Sequence, residues 1–218
     1  MGKIDSNKKQ KKEALLNTAF DLFTSKGIHE TSISDIVNKA GVAKGTFYLY
    51  FKDKFDVRNL LISHKSSQLF ISATNAAEEA GITDFDSKIL FIINHIIDKF
   101  SENKSLLTFI SKNLSWGFFK QALTSGPSDN SDVDFVSVYK DMLENSGKNF
   151  KEPELMLFMI IELVSSTCYS TILYNEPVSI DELKPHLFRL IKEIIRNHTI
   201  ESSDSTEPAL IEQIQQES

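Results

Sequence analysis

The stretch from Thr31 to Lys54, TSISDIVNKAGVAKGTFYLYFKDK, limits the fold of this chain more than any other. Its residues predict two short helices joined by a tight turn, followed by the start of a third helix. Ser32 and Asp35 have the spacing of a capping box, in which each side chain bonds a free backbone N–H group at the start of a helix. Gly41 follows the last apolar residue of the first helix, where a left-handed residue commonly ends a helix. Helices joined by so short a turn are typical of the helix-turn-helix motif.

The second helix, predicted over residues 43–51, has an outer side that is unusual for a soluble protein. Its apolar side consists of Phe47, Tyr50 and Phe51. Its outer side combines a cation, a glycine, a hydroxyl, a phenol and an aliphatic group without any carboxylate; these residues are Lys44, Gly45, Thr46, Tyr48 and Leu49. In a helix-turn-helix protein the second helix enters the major groove of DNA. The pattern therefore favours DNA binding, and an ordinary helical hairpin with a solvated side is the alternative.

The contacts with DNA that this arrangement predicts fall into two groups. We expect base edges to be met by Lys44, Gly45 and Leu49. We expect phosphates to be held by Thr31, Ser32, Thr46, Tyr48 and Lys54, with Tyr48 also able to touch a thymine methyl group. Lys54 falls in the first turn of the third helix, where the helix dipole disfavours a cation by roughly 0.3–1 kcal/mol. A cation at that position indicates a nearby anion, and a phosphate is the obvious candidate.

The charges are divided unevenly along the chain. The net charge is −6 over 218 residues, yet residues 1–65 hold 12 basic and 7 acidic residues, whereas residues 66–218 hold 12 basic and 23 acidic ones. A basic front and an acidic back predict a DNA-facing module attached to a body that DNA repels.

The residues that predict the motif also resemble a known family. AGVAKGTFYLYFKDK, preceded by TSISDIV, is similar to the recognition segment of the TetR-family transcriptional regulators, written Ala-Gly-Val-Ser-Lys-Gly-Thr-x-Tyr-x-Tyr-Phe and followed by Lys and an acidic residue. The resemblance covers about residues 10–60. It implies a two-fold homodimer that binds a palindromic operator, and a helical body with an effector pocket. Ala43 departs from the family pattern, since Ser often caps the helix there, and Leu49 departs where His or another polar or aromatic residue is common.

Helical periodicity continues along the chain, so we expect an all-α protein. Residues 1–60 are predicted to form a three-helix DNA-binding domain, in which residues 1–7 are a disordered arm. Residues 61–198 are predicted to form a helical bundle for ligand binding and dimerisation. Residues 199–218, rich in Ser, Glu and Gln, are expected to be a polar tail.

Two sets of residues in the body are candidate sites. The last two helices carry more apolar surface than a small bundle needs, which marks a partner surface. The expected dimer contacts are Met156, Met159, Ile160, Leu163, Leu187, Leu190 and Ile194. Aromatic side chains and two lone polar groups in apolar surroundings are candidates to line an effector pocket: Phe91, His95, Phe109, Trp116, Phe119, Glu162 and Tyr169. For each of these residues, ordinary core packing is the alternative.

Several classes of protein are not favoured by this sequence. The single cysteine, Cys168, excludes an internal disulfide, fits a reducing cytoplasm and supplies too few ligands for a structural zinc site. We expect no secretory signal and no apolar run of the ~20 residues that a membrane span requires. GVAKGT lacks the spacing of a phosphate-binding loop, and neither a His-Glu-x-x-His nor a Gly-x-Ser-x-Gly motif is present. We therefore predict no catalytic residue, no metal and no cofactor.

Two functions remain compatible with these observations. The first is a cytoplasmic transcriptional repressor that binds a palindromic operator as a homodimer and is released by a small hydrophobic effector. The second is a DNA-bound interaction protein whose body recruits a protein partner without any small-molecule inducer. The sequence leaves the operator and the effector unspecified.

Overall fold

The computed structural model describes residues 3–111 and 135–200. In these ranges the chain forms nine α-helices, and the one β contact is an isolated bridge between Phe150 and Thr199. The helices are α1 (Lys3–Ser25), α2 (Ile33–Ala40), α3 (Lys44–Tyr48), α4 (Lys54–Glu79), α5 (Phe85–Glu102), α6 (Lys104–Ser111), α7 (Phe135–Glu144), α8 (Pro153–Tyr174) and α9 (Ile180–His198). The prediction of an all-α protein is confirmed.

Side-chain caps set the starts of the helices that carry the DNA-binding motif. Ser32 and Asp35 form the predicted capping box at the start of α2, and Gly41 ends that helix with φ of +68°. Asp53 caps α4, because its carboxylate accepts hydrogen bonds from the N–H groups of Phe55 and Asp56. These local bonds satisfy backbone donors that the helices leave free, so the turns between α2, α3 and α4 are fixed by nearby residues.

The two ends of the described chain differ from the prediction. Helix α1 begins at Lys3, so residues 3–7 are helical and do not form the disordered arm that was expected. At the other end, the N–H of Ile200 donates to the carbonyl of Asn149 over 2.8 Å, and the N–H of Lys151 donates to the carbonyl of His198 over 2.8 Å. Residues 199 and 200 are therefore bonded to the segment before α8, and only residues after 200 can belong to the predicted tail.

The first hydrophobic core belongs to the DNA-binding domain, but it is not built from residues 1–60 alone. Its buried side chains are Leu15, Ala19 and Phe23 of α1, Ile36 and Val37 of α2, Phe47 and Phe51 around α3, Val57, Leu61 and Ile62 of α4, and Phe109 and Ile110 of α6. The ring of Phe109 meets that of Phe20 edge-on, with centroids 5.2 Å apart. Helix α6 is far away in sequence, yet it completes the core of the first domain.

The second core lies in the body and is centred on α8. Met156, Leu157 and Ile160 of α8 are buried with side chains of α4, α5, α7 and α9. By length and composition α8 would be able to span a membrane, with a hydropathy of 1.6, and it is the one helix of the described ranges that meets this criterion. This finding corrects the expectation that no stretch is so apolar. Its position in the core accounts for the same composition, because a helix that is packed on several sides is apolar nearly all round.

The capping box has a consequence for acid stability. The pKa of Asp35 is lowered from 3.8 to about 2, mainly because its carboxylate accepts a hydrogen bond from the backbone of Ser32 and bonds the Lys26 ammonium. The ammonium nitrogen lies 3.0 Å from the carboxylate oxygen. A carboxyl whose pKa is lower in the folded state stabilises the fold above its unfolded pKa, and this stabilisation is lost as the pH falls.

We expect Asp35→Asn to change how stability depends on pH. In the wild type the contribution of Asp35 is present above about pH 4 and declines towards pH 2; the Asn variant lacks it at every pH. The variant should therefore be less stable than the wild type at pH 6, and the difference should shrink on acidification. Urea unfolding between pH 6 and pH 2.5 measures this. A difference that stays constant over this range would contradict the linkage.

Candidate nucleic-acid interface and effector cavity

Helix α3 is held by aromatic side chains on one side only. Phe47 is fully buried, Phe51 is 3% exposed, and their ring centroids lie 5.4 Å apart. Ala43 precedes the helix and makes no side-chain capping bond, as its sequence position led us to expect. Because packing anchors α3 along this side, its opposite side is turned to solvent.

The solvent side of α3 presents four of the predicted DNA-contacting residues. Lys44 and Gly45 are exposed, the side chain of Tyr48 is 54% exposed, and that of Leu49 is 79% exposed. A Cβ atom built at Gly45 would meet nothing within 4 Å. Packing within the protein therefore does not require a glycine at this position. A glycine instead gives an outside partner close access to the backbone. We call these four residues the α3 surface.

Two of the predicted phosphate contacts are corrected by the structure. Thr31 is fully buried, and its hydroxyl donates to the carbonyl of Gly27 over 2.7 Å, so it is not accessible to DNA. The Lys54 ammonium donates to the carbonyl oxygens of His29 (3.0 Å) and Thr31 (2.9 Å). The helix dipole disfavours a cation at the start of α4, and these two carbonyls supply the negative partner that the sequence analysis had assigned to a phosphate. Lys54 thus fixes the loop between α1 and α2 and does not require a phosphate.

The remaining phosphate candidates stay predictions. Ser32 is exposed and its hydroxyl accepts the N–H of Asp35, which leaves the hydroxyl proton free to donate outwards. Thr46 is half-buried on α3. At the start of α1, Lys8, Lys9 and Lys11 are exposed and add positive charge to the domain.

A cavity of about 230 Å³ lies in the body between α4, α5, α6, α7 and α8. Most of its wall is aliphatic or aromatic, with contributions from Ile89, Ile92, Ile93 and Ile96 of α5, Leu107 and Ile110 of α6, Met142 of α7, and Met156, Leu157, Ile160, Ile161 and Val164 of α8. Polar groups are few, and they come from Ser63, Ser66, Ser67, Tyr139, Ser165 and Cys168. Apolar walls with a few polar groups are typical of small-molecule sites.

None of the five described residues that were predicted to line an effector pocket lines this cavity. Phe109 is buried in the core of the DNA-binding domain. The Nε2 atom of His95 lies 3.2 Å from the hydroxyl oxygen of Ser72, and the ring of Tyr169 packs near that of Tyr174. Phe91 and Glu162 also lie outside the cavity wall, whereas Trp116 and Phe119 lie outside the described residues. Contact of the five described residues with an effector stays a prediction, and an effector held in this cavity would not meet them at its wall.

The sequence did contain a signal for the cavity. Three serines within about one turn, Ser63, Ser66 and Ser67, interrupt the apolar pattern of α4. The prediction selected aromatic and charged residues, whereas isoleucine is the commonest residue of the wall and cannot be told from a core residue in sequence. Ile89, Ile92 and Ile93 belong to the core and also line the cavity, whereas Ile97 belongs to the core alone, and only the packing of five helices makes this difference.

The predicted dimer contacts are divided between the interior and the surface. Met156 and Leu187 are 1% exposed and Ile160 is 5% exposed, so these three belong to the core of a single chain. Leu163 and Ile194 are partly buried against that core. The surface is formed by Met159 and Leu190, which are 40% and 51% exposed, together with Leu155, which is 42% exposed. We call these three exposed residues the α8–α9 surface.

Comparison with known proteins agrees with this architecture. Residues 15–59 match the model of the tetR family of bacterial regulatory proteins. Over 44 residues, or 20% of this chain, the sequence is 54% identical to the uncharacterized HTH-type transcriptional regulator YvdT of Bacillus subtilis, and the matched stretch spans only 23% of that relative. The fold is similar to that of a tetR family transcription regulator from Shewanella sp. PV-4 (TM-score 0.64, 18% identity), covering 88% of this chain and 99% of that chain.

A second solved structure is the Bacillus subtilis regulator FadR in complex with stearoyl-CoA. It has a TM-score of 0.60 and 18% identity, and the match covers 82% of this chain and 96% of that chain. Residues 15–59 therefore form a helix-turn-helix segment of the tetR type. The resemblance inferred from the sequence is confirmed by the family model over this segment and by the fold of the solved structures.

We expect Gly45→Ala to separate folding from DNA binding. Alanine fits the space at this position and favours a helix by up to about 1 kcal/mol, so thermal stability should stay the same or increase. The new methyl group would keep DNA away from the backbone, so affinity for a cognate duplex should fall roughly tenfold or more. Calorimetric unfolding and fluorescence anisotropy on the same preparation measure the two effects. If the variant bound DNA as tightly as the wild type, DNA would not come close to the backbone at Gly45.

Proposed function

We propose that this chain is a cytoplasmic transcriptional repressor that binds a palindromic DNA operator as a homodimer and is released by a small hydrophobic effector. The observation that carries the proposal is the α3 surface, which is exposed, contains a cation and a bare backbone, and has no carboxylate. Lys44 forms no ion pair with any other described residue, which suits a donor to base edges. Leu49 offers an apolar contact to a thymine methyl group.

The α8–α9 surface supports the dimer. Leu155, Met159 and Leu190 are large apolar side chains that remain open to solvent on the two last helices. A second copy of the chain would cover them, and a two-fold arrangement would present two α3 helices to successive major-groove segments.

The cavity favours a small-molecule effector over the alternative of a protein partner. It lies against α6, and the same helix completes the core of the DNA-binding domain. An effector that fits one arrangement of these helices better than another would shift the population towards the arrangement that spaces the two α3 helices wrongly for the operator. FadR, which has a similar fold, is in complex with stearoyl-CoA, a molecule with a long apolar acyl chain.

Selection of duplexes from a random library tests the DNA-binding part of the proposal. We expect the wild type to enrich a palindromic sequence. Lys44→Ala should bind the enriched duplex roughly tenfold more weakly and lose its preference at one position in each half-site. Lys140→Ala, at an exposed lysine of the body, is the matched control and should behave as the wild type. If the wild type enriches no sequence in low salt, the proposal fails.

We expect Leu190→Glu to disrupt the dimer. A carboxylate placed in an apolar interface must be desolvated without a partner, which should raise the dissociation constant of the dimer roughly a hundredfold. Sedimentation velocity at several protein concentrations measures this. Asn75→Glu adds the same charge on the exposed side of α4 and should leave the dimer intact. If the wild type sediments as a monomer at micromolar concentration, or if both variants remain dimers, this surface is not the interface.

A further inference from the structure

The wall of the cavity is electrically neutral in the described part of the chain. None of its residues is an aspartate, glutamate, lysine, arginine or histidine. Its two weakly acidic groups are also neutral near pH 7, because burial raises the pKa of Tyr139 and raises that of the Cys168 thiol to about 11. An ionised ligand would enter this space without a counter-charge, and removing an unpaired charge from water is strongly unfavourable.

Ser66 provides an unsatisfied hydrogen-bonding group in this wall. Its hydroxyl oxygen is buried and has no hydrogen-bond partner in the described chain. Other buried or half-buried hydroxyls on the same bundle bond back to a carbonyl of their own helix, as Thr74 does to Phe70 and Ser101 does to Ile97. A buried hydroxyl without a partner is destabilising, and such groups in native proteins commonly have a functional explanation.

The volume of the cavity limits the size of what it holds. A protein cavity of about 150 Å³ accommodates benzene. At the same cavity volume per non-hydrogen atom, the 230 Å³ observed here corresponds to a molecule of roughly nine such atoms. Three of the polar groups, Ser63, Ser66 and Ser67, lie within about one turn of α4, whereas the isoleucines of the wall lie on α5, α6 and α8. A molecule with one polar end would match this cluster of hydroxyls.

We propose that the cavity binds an uncharged, mainly hydrocarbon molecule of about this size that carries a single hydrogen-bonding oxygen, and that Ser66 is the group that recognises this oxygen. The inference rests on the proposed role of the cavity as the effector site. The hydroxyl of Ser66 accepts a hydrogen bond from a ligand hydroxyl or donates one to a ligand carbonyl. Hydrocarbon of the same shape lacks this bond, and a carboxylate finds no counter-charge among the described residues of the wall.

Three probes of equal size test the ligand class: 4-ethylphenol, propylbenzene and benzoate. Their dissociation constants are measured by isothermal titration at pH 7 with the wild type, Ser66→Ala and Ser72→Ala. Ser72 is the matched control, since it is an exposed serine of the same helix that does not line the cavity. The wild type and Ser72→Ala should bind 4-ethylphenol about tenfold more tightly than propylbenzene and benzoate most weakly, whereas Ser66→Ala should bind the two neutral probes alike.

The unliganded proteins provide a second readout. Both alanine variants gain helix propensity, but only Ser66→Ala also removes a buried hydroxyl without a partner among the described residues, so its melting temperature should rise above that of Ser72→Ala. The ligand class is wrong if benzoate binds best or if no probe binds. The role of Ser66 is wrong if the preference for 4-ethylphenol survives in Ser66→Ala. Duplex binding measured on the same preparations separates either failure from a failure of the regulator proposal.

Discussion

The packing of α6 against two cores is the contact on which the rest of this structure depends. Leu107 belongs to the core of the body and lines the cavity, while Phe109 packs against Phe20 in the DNA-binding domain. Ile110 takes part in both, since it lines the cavity and is buried in the first core. Interiors are close-packed, so a helix shared in this way does not shift against one core without disturbing the other. The two domains are therefore mechanically joined by eight residues, in addition to the long helix α4.

The DNA-binding domain divides its polar residues between internal support and external contact. Thr31 and Lys54 support the motif, because their side chains donate hydrogen bonds to backbone carbonyls of the loop between α1 and α2. Lys44 and Tyr48 face solvent because Phe47 and Phe51 anchor α3 from its opposite side. Helix α3 is too short to be stable by itself. The buried residues fix its position and thereby hold the exposed side chains of Lys44 and Tyr48 in a defined geometry.

Helix α8 has three roles that explain its composition. Met156, Leu157 and Ile160 fill the core, the same three residues form the cavity wall together with Ile161 and Val164, and another side exposes Leu155 and Met159. Each role requires apolar side chains, so the helix is apolar nearly all round and resembles a membrane span in composition. The same demand explains why dimer contacts and core contacts could not be separated from its sequence: Met156 and Met159 are chemically identical and differ only in which neighbours they meet.

The sequence by itself determined those features that depend on residues close together in the chain. The capping box of Ser32 and Asp35, the left-handed Gly41, the missing cap at Ala43 and the two sides of α3 all follow from spacing within one or two helical turns. The tertiary structure alone decided which apolar residue is core, cavity wall or exposed surface, and which polar residue has an internal partner. Phe109 packs in the first domain, Thr31 is buried, and Ser66 has no hydrogen-bond partner within residues 3–111 and 135–200. These outcomes depend on helices that are distant in sequence and meet in the fold, and local periodicity carries no information about such contacts.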